Sequence, residues 1–334
     1  MKIRFWFVLS ALFLFPSIVI AEEDIAVEGI EQNERFFSLQ QLKGAKKQPL
    51  APLEYVEATD GISLALRAYR PVQAEAVVIF YHGGGAHSGL SYQHIGIGLR
   101  DDYGVASYMP DIRGHGFSAG ERGDAPSKEQ VWRDISRLIE WVQEQHPQRP
   151  VFLAGHSAGA GLILNYSSWS EATPVAGYLF VAPYFGFRSE TGYDKEDKRQ
   201  VEFSSVNVSD FVINSMSGGL LRGHAKAVQF HYPQTVLEQN PKIVTFNTVN
   251  MSNAMTPESP AEQLNHLSEF ALWIGDNDEA FDPDKVVRFA SEHSRENSEN
   301  TIDLLKGESH FSVLLSVSEY MGKWITQLIR AGRN

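Results

Sequence analysis

Val151-Phe-Leu-Ala-Gly-His-Ser-Ala-Gly-Ala-Gly161 is an apolar run that passes without a break into a Gly-x-Ser-x-Gly turn centred on Ser157. The context carries more information than the pentapeptide. A serine hydroxyl becomes a useful nucleophile when its oxygen projects from a sharp strand-to-helix turn, within reach of a base and of amide donors. Gly155 and Gly159 remove side chains that would clash in so tight a bend, and Ala158 and Ala160 keep the following helix close. The stretch therefore predicts a buried strand, a nucleophile turn and a helix in succession.

Similar apolar runs recur along the chain. Ala76–Tyr81, Val105–Met109, Ala176–Ala182, Phe270–Ile274 and Thr301–Leu305 read as buried strands, and Tyr55–Thr59 with Ile62–Tyr69 reads as a hairpin turned at Asp60-Gly61. Between them lie helical patterns. Val131, Trp132, Ile135, Leu138, Ile139 and Val142 recur at helical spacing, and 285–293 and 312–331 are further helices. Continuous apolar strands alternating with amphipathic helices indicate an α/β fold, a mostly parallel sheet with helices on both faces. The alternation stops between Pro183 and about Glu262, where aromatics and methionines are scattered. This stretch reads as an inserted, helical cap with a small core of its own. The expected organisation is a core over 53–183 and 263–334, a cap over 184–262 and a polar N-terminal extension over 22–52.

Lys2 and Arg4 precede the apolar run Phe5–Ala21, which ends Val-Ile-Ala and is followed by Glu22-Glu23-Asp24. That order predicts a cleaved signal peptide over 1–21 and an exported protein, periplasmic or secreted. The competing reading is an uncleaved membrane anchor over residues 5–21. The 334 residues contain no cysteine, which excludes disulfides, thiol catalysis and thiolate metal sites. Lys plus Arg number 29 against 41 acidic residues, with no basic stripe, so nucleic acid is not an expected partner.

The Ser157 nucleophile needs a base oriented by a carboxylate, and on such a sheet the chain order is serine, acid, histidine. Trp273-Ile-Gly-Asp-Asn-Asp278 follows one strand and Gly307-Glu-Ser-His-Phe311 follows the last, so His310 is the candidate base. Asp276 and Asp278 compete as the acid on position alone. His82-Gly-Gly-Gly85 directly follows the strand ending at Tyr81, and its amides, with that of the residue after Ser157, suit a developing oxyanion. The expected donors are the N–H groups of Gly84 and Ala158. His156 reads as packed in the turn, His82 as a brace of the glycine loop, and His115 and Arg113 as residues that hold loops together. His87 and His94 lack metal-ligand spacing, so neither a metal nor a cofactor is expected.

Four ordered segments resemble the monoacylglycerol lipase and lysophospholipase group of α/β-hydrolases, also classed with serine aminopeptidase-like hydrolases. They are His82-Gly-Gly-Gly-Ala-His-Ser-Gly89, Asp111-Ile-Arg-Gly-His-Gly-Phe-Ser118, Gly155-His-Ser-Ala-Gly159, and Gly275-Asp-Asn-Asp278 with His310. The resemblance spans roughly residues 55–330. It implies an eight-stranded α/β-hydrolase sheet, a Ser157–Asp278–His310 triad with Asp278 preferred over Asp276, and an oxyanion hole at Gly84 and Ala158. It also implies an ester hydrolase acting on a small-molecule or lipid acyl ester, with transient contact to a lipid interface. The chain has Ala86 where the family pattern often has an acidic residue and Ala158 where it often has methionine. Neither change removes a catalytic group. Two other readings stand beside it: an aminopeptidase or amidase using the same triad, with Glu190, Glu202 or Glu238 receiving a substrate amine, and a non-catalytic binding protein of the same fold.

Overall fold

A computed structural model describes residues 45–194, 196–197, 199–295 and 300–332. The signal peptide expected over 1–21, and the extension up to residue 44, lie outside the described residues. In chain order the first elements are β1 (Leu53–Glu57), β2 (Ser63–Tyr69), β3 (Ala76–Tyr81), α1 (Gln93–Tyr103), β4 (Val105–Pro110), α2 (Lys128–Gln145), β5 (Val151–His156), α3 (Ala158–Ser167) and β6 (Gly177–Val181). The intervening stretch holds β7 (Ser204–Val206), α4 (Val208–Met216), β8 (Lys226–Phe230), α5 (Gln234–Gln239), β9 (Phe246–Thr248), α6 (Val249–Met255) and α7 (Pro260–His266). The chain then returns through β10 (Phe270–Gly275), α8 (Pro283–His293), β11 (Thr301–Leu305) and α9 (Val313–Ala331).

Eight strands form one sheet in the order β1-β2-β4-β3-β5-β6-β10-β11. β2 runs antiparallel to β1 and β4, and the other pairings are parallel, which makes this a mixed sheet of α/β-hydrolase type. Every residue of β3, β4, β5 and β10 is buried, as continuous apolar runs covered on both faces require. The apolar positions read as one face of α2 are all buried. α1 and α9 pack so closely that a side chain on Gly322 would strike the Tyr103 ring and one on Gly98 would strike Ser318.

The order places the site. Chain progression from β3 moves outward to β4, then reverses and crosses to β5 on the other side of β3. At such a reversal the loops leaving the carboxyl ends of the two neighbouring strands diverge and open a crevice. Here those loops are the glycine loop after Tyr81 and the turn at Ser157. β10 and β11, two places further on, bring the Asp276–Asp278 and His310 loops to the same end of the sheet.

The inserted stretch differs from the helical lobe expected. β7, β8 and β9 form a separate three-stranded antiparallel sheet. Strands of three and five residues leave little periodic signal, and this explains why they escape a pattern reading. α6 packs back on the main body, where Met251, Ala254 and Met255 join its core. The loop after β4 is held by Arg113, whose buried guanidinium takes Asp134 of α2 at 2.7 and 2.8 Å and Asp60 of the β1–β2 turn at 2.8 and 3.1 Å. Arg113 is thus a fastening between three elements, in line with its sequence reading.

Candidate active site

The turn after β5 puts Ser157 at φ 54°, ψ −122°, a left-handed conformation that L-residues rarely adopt. Contacts on both sides hold it there. The Ser157 N–H donates to Val181 O (3.0 Å), and its carbonyl accepts from Ala160 N (3.0 Å) and Tyr184 N (3.1 Å). Close approach leaves no room for side chains at the flanking glycines. A Cβ on Gly155 would lie 2.3 Å from Gly159 O, and one on Gly159 would lie 2.5 Å from the carbonyls of Tyr81 and His82. The glycines therefore let β5, α3 and the loop after β3 converge on one point.

His310 and Asp278 meet. His310 Nδ1 lies 2.8 Å from Asp278 Oδ2, and both side chains are almost wholly buried. The other carboxylate oxygen accepts the N–H groups of Ala280 and Phe281, each at 2.9 Å. These bonds fix the carboxylate plane and leave Oδ2 for the imidazole. Asp276 faces elsewhere: its Oδ1 accepts from Gly307 N (2.7 Å) and Asn277 Nδ2 (3.0 Å), closing the turns after β10 and β11. Ser157, His310, Gly84 and Ala158 all line one cavity of about 1000 Å³ beneath the inserted stretch. Glu190 and Glu202 also line it, whereas Glu238 does not. Among the described residues no group of three or more histidine or carboxylate side chains is placed to hold a metal ion.

Buried neutral histidines brace these loops. His82 donates from Nδ1 to Gly83 O (2.8 Å) and accepts the Ile112 N–H at Nε2 (3.0 Å). His156 donates from Nε2 to the His310 carbonyl (3.0 Å) and accepts the Tyr92 hydroxyl at Nδ1 (3.0 Å). Tyr92 in turn accepts the Gly83 N–H at 2.9 Å. A single chain of bonds thus runs from the glycine loop through Tyr92 and His156 to the main chain of His310. Glu279 completes it by accepting the His310 N–H at 3.0 Å. From the sequence His82 reads as a brace and His156 as packed in the turn; it does not reach the bridging bonds of His156 or the part of Tyr92, whose position in α1's lead-in carries no local signal. Burial pushes the imidazoles of His82 and His115 down to about 3 and that of His156 well below its ordinary value.

A family model described as serine aminopeptidase, S33, matches residues 72–311. The chain belongs to that family. Among curated relatives of this S33 hydrolase, an abhydrolase domain-containing protein of Dictyostelium discoideum is 35% identical over 164 residues, 49% of this chain and 15% of that protein. Monoglyceride lipase of Rattus norvegicus is 32% identical over 136 residues, 40% of this chain and 44% of the lipase. The chain therefore spans less than half the length of these relatives. A soluble variant of monoglyceride lipase from Saccharomyces cerevisiae, solved with a substrate analogue, aligns with a TM-score of 0.61 at 16% identity, over 84% of this chain and 97% of that one. This last likeness is one of fold.

The braces impose a pH dependence on stability. The folded-state values of about 3 for His82 and His115 lie below the unfolded value of 6.5, so the unfolded chain binds more protons between those limits. Their contribution is complete above pH 6.5 and is lost as pH falls from 6.5 toward 3. Replacing His82 by glutamine should flatten the dependence of unfolding free energy between pH 6 and 5 by about 1.2 kcal/mol per pH unit. Urea titrations across that range measure it, and an unchanged slope would show that His82 is not held neutral.

Proposed function

We propose that this S33 hydrolase cleaves carboxylic esters through an acyl-enzyme on Ser157. The observation that carries the reading is the buried His310–Asp278 pair at 2.8 Å, with His310 on the wall of the cavity that the strained Ser157 turn also lines. Asp278 holds the His310 imidazole in the tautomer with its proton on Nδ1, leaving Nε2 as the base. Ser157 Oγ bonds to the acyl carbon while its proton passes to Nε2, and the carbonyl electron pair becomes an oxyanion. The N–H groups of Gly84 and Ala158 are the donors assigned to that oxygen. Collapse expels the alcohol, which takes the proton from Nε2. Water then repeats the sequence on the acyl-enzyme and frees the acid.

The cavity suits a single acyl chain. Tyr184, Phe203, Phe230, Phe281 and Phe289 supply aromatic wall, and about 1000 Å³ is room for a monoester of a fatty acid. Together with the similarity to monoglyceride lipases, this favours a monoacylglycerol or lysophospholipid as substrate. The inserted stretch carries an exposed apolar surface at Val208, Met216, Leu220 and Leu221, with 64, 84, 88 and 58% exposure. We read it as a transient contact with a lipid surface. Export is proposed on the basic-then-apolar order of residues 2–21 alone. Among the described residues no helix is long and apolar enough to cross a membrane.

A second reading, aminopeptidase action, draws on Glu190 and Glu202 at the cavity wall, where a carboxylate would receive a substrate amine. A panel of p-nitrophenyl acyl esters against aminoacyl-anilides separates the two. Ester turnover should dominate, and anilide turnover without ester turnover would select the aminopeptidase.

Ser157→Ala should keep the fold and lose roughly 10⁴- to 10⁶-fold in kcat on p-nitrophenyl esters. Asp278→Asn should cost roughly 10⁴-fold, and Asp276→Asn far less. A larger loss for Asp276→Asn would reassign the acid. For the lipid contact, hydrolysis of a long-chain monoester should rise sharply above its critical micelle concentration. The double replacement Met216→Ser with Leu220→Ser should blunt that rise while leaving soluble short-chain esters unaffected; an unchanged rise would remove the surface from the account.

A further inference from the structure

The inserted stretch does more than roof the cavity, for it donates hydrogen bonds into both loops that carry the chemistry. The Tyr232 hydroxyl donates to Gly84 O at 2.7 Å, and Val244 N–H donates to Gly85 O at 2.8 Å. On the acid side, the Tyr193 hydroxyl donates to the main-chain carbonyl of Asp278, and Val201 N–H to that of Glu279 at 2.9 Å.

The bond to Gly84 has a specific geometric consequence. A peptide unit is planar and its C=O and N–H point to opposite sides, so fixing the carbonyl aims the amide. The unit ahead of Gly84 is fixed from the core, where His82 Nδ1 holds Gly83 O at 2.8 Å and thereby aims the Gly84 N–H. The unit behind Gly84 is fixed by Tyr232. Without both, glycine's freedom would let the two planes rotate about its Cα. The Phe230 ring closes the same point: a Cβ on Gly84 would lie 2.8 Å from Cε1. Phe203 stacks on Phe230 at 5.5 Å between centroids and meets the Tyr232 ring edge-on at 5.0 Å, which keeps the phenol in register. The buried hydroxyl stays protonated, since burial raises it far above the ordinary tyrosine value.

We propose that Tyr232 is a positioning residue of the oxyanion hole: its hydroxyl holds the Gly84 carbonyl and so fixes the peptide plane after Gly84, leaving the plane that carries the Gly84 N–H, already held at Gly83 O, no freedom to turn about the Gly84 Cα. This rests on the reading of Ser157 as nucleophile. It makes the inserted stretch a working part of the catalytic centre: displacing it would weaken transition-state binding as well as open the cavity.

The test uses the full chain carrying Tyr232→Phe, which keeps the ring and removes the hydroxyl. On a soluble short-chain p-nitrophenyl ester, kcat should fall roughly 10- to 100-fold with KM within about twofold. An aryl trifluoromethyl ketone adds Ser157 Oγ to its carbonyl carbon and leaves an oxyanion in the hole, whereas the corresponding secondary alcohol only fills the cavity. Ketone affinity should fall by the same factor as kcat, and alcohol affinity should not change. Replacing Tyr232 by 4-aminophenylalanine, which restores an N–H donor at that place, should recover most of the loss; this variant carries the test if the phenylalanine variant folds poorly. Wild-type kcat and ketone affinity in Tyr232→Phe would overturn the proposal. So would an equal loss of ketone and alcohol affinity, which marks a residue that merely shapes the cavity. Ser157→Ala measured alongside keeps the two readings apart: its retaining turnover would sink the nucleophile, and its inactivity beside a wild-type-like Tyr232→Phe would sink only the positioning role.

Discussion

The left-handed backbone of Ser157 is a local cost on the order of 1–3 kcal/mol that the surrounding packing must hold in place. It persists because three main-chain segments touch where side chains would ordinarily keep them apart: Gly155 against Gly159, and Gly159 against the carbonyls of Tyr81 and His82. That contact settles more than the direction of one hydroxyl. It brings the start of α3 against the end of β3, so the amide after the serine and the amides of the glycine loop are neighbours by construction. The nucleophile turn and the expected oxyanion donors are two aspects of one close approach.

The remaining groups are joined to this contact by buried, uncharged hydrogen bonds. The path from Gly83 through Tyr92 and His156 to the His310 carbonyl links loops that follow β3, β5 and β11. Charge would be expensive along it, and burial keeps the His156 imidazole neutral, with one nitrogen as donor and the other as acceptor. The inserted stretch adds a second set of ties from the opposite side, through Tyr232 and Tyr193. A site assembled from loops is thereby given the rigidity of the sheet beneath it, which electrostatic stabilisation of a transition state requires.

Much of this is legible in the amino-acid order. Continuous apolar strands, the helical spacing of α2 and the Gly-x-Ser-x-Gly turn each report a local constraint, and together they imply the sheet and its crevice. Other features depend on tertiary contact and leave no local trace. α1 is obscured by Gly96 and Gly98, which weaken its helical pattern. Both positions must be bare because a Cβ would lie 2.4 Å from Tyr69 on one and from Ser318 on the other. The choice between Asp276 and Asp278 depends on the path of a loop: the first carboxylate is taken by Gly307 N, the second faces His310. The sheet of the inserted stretch is built of strands too short to show a period. Tyr92 and Tyr232 act through main-chain groups distant in sequence, which no spacing rule reaches.

The central claim is that Ser157 is an activated nucleophile, and active-site labelling tests it most directly. A fluorophosphonate probe reacts with an activated serine by losing fluoride and forming a stable phosphonyl ester, without any assumption about the natural acyl or alcohol group. Incubated with the folded protein and followed by peptide mass spectrometry, it should label one site per chain, on the peptide containing Ser157, and labelling should vanish after denaturation. A folded protein that stays unlabelled, or that carries the label on another serine, would contradict the account.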